Sequence, residues 1–435
     1  MPSLLPQEIL REIICHLHND KYALKRCSLA SPSFTAVCQS RLFSKVILRR
    51  GTASNFKQVL NTSPHIAGYV ACLEIFDTDR AVEGSKKEWV SKDDALAPCL
   101  LQLTRLKALI ITYRTDDKAS QWPADLQQCL EKTMKIPSLV CLELTGYPLT
   151  LLEQGGAGLK HLALRSPSSR FSDTKSPWLS IADTAAARVQ PLSLALDSED
   201  QGIESLICLA LKLDLSKLKR LGVNASLGND HDAVAQLLQV CAGTLEELIF
   251  YPCYSGQQAV YPKKFYPDPI NLSILTSLRR LTIHVDMFED RKMNNYYDSF
   301  PWLLSFLSRL ANSSTNNTGA GHLLEELNIH VSYDNTGQTH SSYICTPELP
   351  DIDSWWRMAR LLAASSFPNL QKVTFELSSW DESASLVLED LREAGYISSL
   401  REGLEVRLFE GNDLEFKSHT LFAPDANHEW AGYRL

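Results

Sequence analysis

The chain lacks most of the signals that mark an enzyme, a secreted protein or a membrane protein. No apolar run approaches the roughly 20 residues that a membrane-spanning helix needs. Residues 2–6 contain no basic and then apolar leader, so a secretory signal is not expected. The motifs G-x-S-x-G and H-E-x-x-H and a Walker-type phosphate loop are also missing. We therefore expect a protein that is not an enzyme, with no cofactor and no bound metal.

The sequence also lacks an excess of positive charge. Its 435 residues carry 43 Lys and Arg against 51 Asp and Glu, which gives a formal net charge of −8. A protein whose main partner was nucleic acid or an anionic membrane would be expected to carry the opposite sign. We therefore expect neither of these partners, and the composition is that of an ordinary globular protein.

The cysteines do not suggest a disulfide framework or a zinc site. There are eleven, an odd number, and no two of them form a C-x-x-C pair. Most lie among apolar neighbours, as reduced and buried thiols do. Because such thiols are typical of reducing compartments, the sequence favours a cytoplasmic or nuclear location.

What the chain does contain is a compact set of short N-terminal helices with an unusually apolar face. Pro6 suits the first turn of a helix. The apolar residues that recur every four positions along this helix are Ile9, Ile13 and Leu17. Asn19-Asp20 and Ser31-Pro32 are start signals for two further helices. So short a segment cannot enclose all of its apolar side chains, and we expect part of the face to contact another protein.

These residues resemble an F-box of the fungal type. The family pattern is Leu-Pro-x-Glu-Ile/Leu, an apolar residue four positions on, a Cys-Ser-Leu block, an aromatic residue, and Leu-Phe before the first strand. The residues that match it are Leu5, Pro6, Glu8, Ile9, Ile13, Leu17, Cys27, Ser28, Leu29, Leu42 and Phe43. Phe34 stands where the family usually has Trp, and Ala30-Ser31-Pro32 replaces the commoner Val-Cys-Arg.

The resemblance implies that residues 1–50 bind the Skp-type adaptor of a cullin-RING ubiquitin ligase. The residues that it implies for this contact are Leu5, Pro6, Glu8, Ile9, Ile13, Leu17, Cys27, Leu29 and Phe34. The protein would then be the substrate-recognition subunit, and the chemistry would belong to its partners. The alternative is that residues 1–50 are a small helical cap on the domain that follows.

A repeat runs through the rest of the chain. Its pattern is an apolar residue, two variable residues, an apolar residue, any residue, and an apolar residue. The ten copies begin at Val70, Leu106, Leu139, Leu159, Val189, Leu218, Leu245, Leu278, Leu324 and Leu370. Each copy ends in the alternation of a short strand with one buried face, and helical patterns lie between the copies. Stacked strand–helix units of this kind predict one curved parallel sheet.

This arrangement resembles a degenerate leucine-rich-repeat array. A standard repeat places Asn or Cys three residues after its third apolar position, where the side chain holds the neighbouring turn. Only Cys253 fits that position here, so we expect a less regular curvature. We predict an α/β protein: a helical F-box (residues 1–50), then an irregular leucine-rich-repeat-like α/β solenoid with a curved parallel sheet (residues 51–435). The alternative is an ordinary α/β domain with coincidental matches.

Candidate contacts to an unknown protein substrate lie in a long insert. They are the aromatic residues Tyr254, Tyr261, Phe265 and Tyr266, which lie among prolines. Clustered tyrosines favour a protein-contact surface, although the rings could equally pack the loop against its own sheet. His284 and His330 each follow the last apolar position of a copy, where we expect ordinary histidines at the edge of the sheet. The alternative functions are a repeat scaffold that binds proteins without any ligase and an unrecognised enzyme. An enzyme would be expected to have a deep polar pocket in which titratable groups converge.

Overall fold

The fold consists of two compact units, one within Met1–Pro191 and one within Leu192–Phe422. A computed structural model describes residues 6–17, 20–76, 89–90, 93–112, 123–145, 152, 158–166, 189–198, 203–226, 231–253, 270–290, 295–297, 300–314, 323–334, 352–363, 367–379 and 405–411. Each unit is an α/β structure built on parallel strands, as the repeat predicts.

Unit 1 begins with three helices and continues as alternating strands and helices. The three helices are α1 (Gln7–His16), α2 (Lys21–Ala30) and α3 (Pro32–Leu42). The later helices are α4 (Thr52–Thr62), α5 (Leu96–Gln102) and α6 (Ala124–Met134), with a 3-10 turn at Pro64–Gly68. The strands are β1 (Lys45–Leu48), β2 (Cys72–Phe76), β3 (Ala108–Thr112), β4 (Cys141–Thr145) and β5 (His161–Ser166). They pair in sequence order and are all parallel.

Unit 2 repeats this arrangement with longer strands. Its helices are α7 (Ile203–Ala210), α8 (His231–Cys241), α9 (Phe300–Ser314) and α10 (Ile352–Ala363), with 3-10 turns at Leu215–Lys217 and Leu272–Ile274. Its strands are β6 (Ser193–Ser198), β7 (Arg220–Ser226), β8 (Glu247–Cys253), β9 (Arg280–Asp290), β10 (Asn295–Tyr297), β11 (Glu326–Asp334), β12 (Lys372–Ser379) and β13 (Glu405–Gly411). All pair in parallel except β10, which is antiparallel to β9.

The apolar positions of the repeat form the core of each unit. In the copy that begins at Leu218, the side chains of Leu218, Leu221 and Val223 are at most 1% exposed. Helices cover this side of the unit 2 sheet, because Phe250 of β8 contacts the rings of Trp302 and Phe306 on α9. Complete burial of each such side chain stabilises the fold by about 1.5–3 kcal/mol. The repeat pattern therefore mainly marks the side chains that pack in the core.

One detail of the sequence prediction is wrong. In the copy at Val189, the buried strand positions are Leu194 and Leu196, two residues later than the pattern placed them. Their partners Leu221 and Val223 fix that register.

A main-chain contact recurs at the start of the strands. The Ser44 carbonyl accepts hydrogen bonds from the amides of both Ala71 (2.9 Å) and Cys72 (2.8 Å). The same arrangement, one carbonyl and two successive amides of the next strand, occurs nine times in the described residues. The accepting carbonyls belong to Ser44, Ala71, Lys107, Val140, Leu192, Lys219, Glu246, Arg279 and Glu325. This carbonyl ladder, as we call it, fixes strand register without any side-chain type common to the nine accepting residues.

Candidate functional site

The first candidate site is the three-helix module of residues 6–42. Its core is formed by Ile14, Leu24, Val37 and Cys38, all of which are buried. The half-buried side chains that pack against this core are Leu17, Cys27, Phe34 and Leu42. The F-box resemblance implied adaptor contacts at Leu17, Cys27 and Phe34. The structure places these three side chains partly inside the module.

The helix starts of this module follow from the capping residues in the sequence. The Asp20 carboxylate accepts hydrogen bonds from the amides of Tyr22 (3.0 Å) and Ala23 (2.8 Å) at the start of α2. The Ser31 hydroxyl accepts one from the Ser33 amide at the start of α3. Pro6 lies one residue before α1 and supplies the first helical acceptor, since its carbonyl accepts from the Leu10 amide. These caps satisfy amides that would otherwise lack partners.

Apolar side chains on the outside of the module distinguish it from the other described parts of the chain. Seven large hydrophobic residues are exposed in the described residues, and four of them lie on α1 and α2. These four are Ile9 (48%), Ile13 (42%), Tyr22 (62%) and Leu29 (87%). Leu10 and Ile14, one position further along α1, are 4% and 0% exposed. Helix α1 therefore has an inward row and a separate outward row of apolar side chains.

The remaining residues implied for adaptor binding are exposed wherever the structure describes them. Pro6 and Glu8 are exposed at the start of α1, as Leu29 is at the end of α2. Leu5 lies outside the described residues. Ile9 and Ile13 are four residues apart on one helix, so they share a face.

The module is joined to the first strands of unit 1 by polar contacts. Ser44, directly after α3, provides the first carbonyl of the ladder, which binds the start of β2. His65 Nε2 lies 3.0 Å from Gln39 Oε1 of α3, and β1 pairs in parallel with β2. The orientation of α3 relative to the sheet of unit 1 is therefore fixed by both backbone and side-chain contacts.

The second candidate site is the face of the unit 2 sheet opposite its helices, which we call the polar face. Near the start of the strands, Glu247 forms a two-pronged ion pair with Arg220, with Nε–Oε2 and Nη2–Oε1 distances of 3.0 and 3.1 Å. Arg280 approaches the same carboxylate at 3.0 Å. On the next strands Lys372 lies 4.0 Å from Glu326. The charges therefore alternate from strand to strand and neutralise one another.

A second row of the polar face carries aromatic and carboxylate groups. The rings of His284 and His330 stack with their centroids 4.4 Å apart, and Tyr251 contacts His284 edge-on at 5.5 Å. His330 Nδ1 lies 2.8 Å from Glu376 Oε2. Burial, followed by the neighbouring His330, lowers the pKa of His284 well below its usual 6.5.

The expectation that these two histidines lie at the edge of the sheet is wrong. Strands β9 and β11 continue to Asp290 and Asp334, which places His284 and His330 within the strands and directly opposite each other. A sequence signal was available, because the string Ile-His-Val occurs in both copies and continues the apolar alternation by one step.

The other predicted groups give no further site in the described residues. The insert residues Tyr254, Tyr261, Phe265 and Tyr266 lie outside them. Within the described ranges, no cluster of three or more His, Cys, Asp or Glu side chains could hold a metal ion. No helix found there is both long enough and apolar enough to cross a membrane.

Burial raises the pKa of the thiols of Cys72 and Cys241 to about 12 and that of Cys99 to about 11, so these thiols remain protonated.

Comparison with known proteins does not assign the chain to a family. No protein-family model matches it, and no curated protein gives a significant match.

Proposed function

We propose that this chain is the substrate-recognition subunit of a Skp–cullin–F-box ubiquitin ligase. Residues 1–50 form an F-box that docks the Skp-type adaptor, and the array from residue 51 holds a protein substrate. The observation that carries this proposal is the outward row of Ile9 and Ile13 on α1, 48% and 42% exposed, in a module whose sequence resembles an F-box. Exposed apolar side chains of this kind are typical of a protein-contact surface.

The array is proposed to be an irregular, curved leucine-rich-repeat-like solenoid. The parallel strands and the carbonyl ladder in each unit support this proposal. The contribution of such a subunit is to bring a substrate close to a ubiquitin-charged enzyme. Contacts at Ser44 and His65 support this role, because they hold α3 in a fixed orientation on the sheet of unit 1. A cytoplasmic or nuclear location follows from the same proposal.

Co-purification of the full chain with a Skp-type adaptor tests the proposal. The key variant is the double substitution Ile9→Glu and Ile13→Glu, which changes the outward row and leaves Leu10 and Ile14 in the core. Leu101→Glu on α5 is the matched control, because Leu101 is 49% exposed and has no place in the proposed contact. Point variants are preferable to deletion of residues 1–50, since a deletion also removes β1 from the sheet.

The wild-type chain and Leu101→Glu are expected to form a stoichiometric complex. The double variant is expected to lose it while keeping its far-ultraviolet circular dichroism and melting temperature, since exposed positions contribute little to stability. A complex that survives the double substitution would overturn the assignment of this face. A folded wild-type chain without any complex would favour the ligase-independent scaffold.

A further inference from the structure

Charge is distributed unevenly between the N-terminal module and the rest of the chain. Residues 1–50 carry eight Lys and Arg against three Asp and Glu, whereas the whole chain has a formal net charge of −8. The module is therefore basic, and residues 51–435 are more acidic than the chain as a whole. Because a local excess of one sign attracts and orients a partner of the opposite sign, this asymmetry favours an acidic partner for the module.

The outward side of α2 combines positive charge with exposed apolar surface. Lys25 and Arg26 are exposed there, between Tyr22 and Leu29, which are 62% and 87% exposed. These four residues follow the spacing i, i+3, i+4 and i+7, so they share one side of the helix. The opposite side packs into the module core through Leu24. We call the four exposed residues the outer face of α2.

The two cations of the outer face are not neutralised within the part of the chain that the structure describes. Neither Lys25 nor Arg26 lies within ion-pair distance of a described acidic side chain. The acidic residue nearest to them in sequence, Asp20, is engaged as the N-cap of the same helix. The face therefore differs from the unit 2 sheet, where arginines and glutamates are paired, and it can offer both cations to a partner.

Arg26 is positioned by a contact with Tyr22. The guanidinium carbon lies over the Tyr22 ring, 4.5 Å from its centre. This contact restricts the long Arg side chain before any partner binds, so less conformational entropy is lost on association. A guanidinium presents planar pairs of N–H donors that match the two oxygens of a carboxylate. The expected counterpart of Arg26 is therefore an Asp or Glu side chain.

The apolar part of the face favours a protein over nucleic acid or an anionic membrane. Leu29 is the most exposed large hydrophobic residue in the described parts of the chain. An exposed leucine beside the cations calls for an apolar contact, which a row of phosphates does not provide. A partner that fits carries carboxylates opposite Lys25 and Arg26 and an apolar side chain opposite Leu29.

We propose that the outer face of α2 binds an acidic segment of the Skp-type adaptor, with Lys25 and Arg26 as residues that determine specificity. This inference rests on the proposed function, since it takes the adaptor as the partner. The F-box resemblance implies a contact at Leu29 but none at Tyr22, Lys25 or Arg26, whose assignment comes from their exposure, their charge and the ring contact. Complementary charge here would accelerate association and discriminate against proteins that lack the carboxylates.

The test is isothermal titration calorimetry of the full-length chain with a purified Skp-type adaptor at about 50 and about 500 mM NaCl. The key variant combines Lys25→Glu with Arg26→Glu. It is expected to bind about tenfold more weakly at the lower salt concentration and less than about threefold more weakly at the higher one, because salt screens exposed charges. Lys25→Gln with Arg26→Gln is the milder variant, with an expected loss of about threefold at low salt. All of these residues favour helix, and circular dichroism checks the fold.

Arg105→Glu with Lys132→Glu is the matched control. It also reverses one arginine and one lysine at exposed positions of unit 1, but outside the module, so the net charge changes by the same amount. Its binding is expected to change less than about twofold if the attraction is local. Equal losses in the two double reversals, a loss at Lys25 and Arg26 that salt does not diminish, or no loss there would overturn the inference.

The outcomes also separate the two proposals. If Ile9→Glu with Ile13→Glu abolishes adaptor binding and the reversal of Lys25 and Arg26 leaves it unchanged, only the assignment of the outer face is wrong. If the folded wild-type chain does not bind the adaptor, the proposed function is wrong and this inference is overturned with it. If the chain binds a short DNA duplex, and the reversal abolishes that binding but not adaptor binding, the face belongs to nucleic acid instead.

Discussion

His284 and His330 stack face to face, with ring planes 8° apart and centroids separated by 4.4 Å, although 46 positions separate them in the chain. Two protonated imidazoles would repel each other at this distance. The pair is therefore compatible with at most one full positive charge, and the burial of His284 favours its neutral form.

Unit 2 is therefore expected to lose stability when the pH falls below about 6.5, the ordinary pKa of histidine. Below that value the unfolded chain binds a proton at residue 284 and the folded chain does not, because the folded pKa is lowered. The contribution of His284 to the free energy of unfolding is complete above pH 6.5 and decreases by up to about 1.4 kcal/mol per pH unit below it. Urea unfolding at several pH values checks this, and His284→Gln should flatten the profile. An unchanged profile in the variant would contradict the assignment.

Glu247 is expected to be the most sensitive carboxylate of the unit 2 sheet. Glu247→Gln leaves Arg220 and Arg280 without their shared partner, and we expect it to lower the free energy of unfolding by about 2 kcal/mol. The neighbouring Glu246→Gln is the control, because Glu246 pairs with Lys219 at an exposed position. Glu246→Gln should lower the free energy of unfolding by less than about 1 kcal/mol. Equal effects in chemical unfolding would show that the two charges have the same role.

The cap of α2 is expected to depend on the side chain of Asp20. Asp20→Ala removes the acceptor for the amides of Tyr22 and Ala23 and should cost about 1 kcal/mol. Asp20→Asn keeps an oxygen in place and should cost much less. Amide hydrogen exchange at residues 22 and 23 measures the effect, and equal exchange in both variants would refute the role of this cap.

Thiol reactivity should separate the cysteines by burial. Cys208 on α7 is exposed and is expected to react readily with iodoacetamide in the folded protein. Cys72, Cys99 and Cys241 are buried with raised pKa values, so their alkylation should require unfolding. Mass spectrometry after native and denatured labelling distinguishes the groups. Labelling of Cys241 as fast as that of Cys208 would contradict the packing of α8.

The sequence predicts the core of this protein better than its surfaces. Leu218, Leu221 and Val223 were recognisable because burial imposes a period on apolar residues. The same reasoning could not separate Ile9 from Leu10, since adjacent residues of α1 are both apolar and only the packing of α3 decides which points inward. The Ile-His-Val strings could have placed His284 and His330 within strands, but a period along the chain does not tell which strands are neighbours. The proximity of the two histidines depends on the register of strands whose spacing along the chain is irregular.

The carbonyl ladder has a consequence for how this chain tolerates change. Successive strand starts at Arg220, Glu247, Arg280, Glu326 and Lys372 are 27, 33, 46 and 46 residues apart in sequence. Each step is nevertheless closed by the same pair of main-chain hydrogen bonds. Because no side chain is needed to close a step, segments between strands can lengthen, shorten or be replaced while neighbouring strands keep their alignment. Foreign peptides are therefore expected to be tolerated between β11 and α10. Retained pairing of β11 with β12 would show that the sheet is preserved.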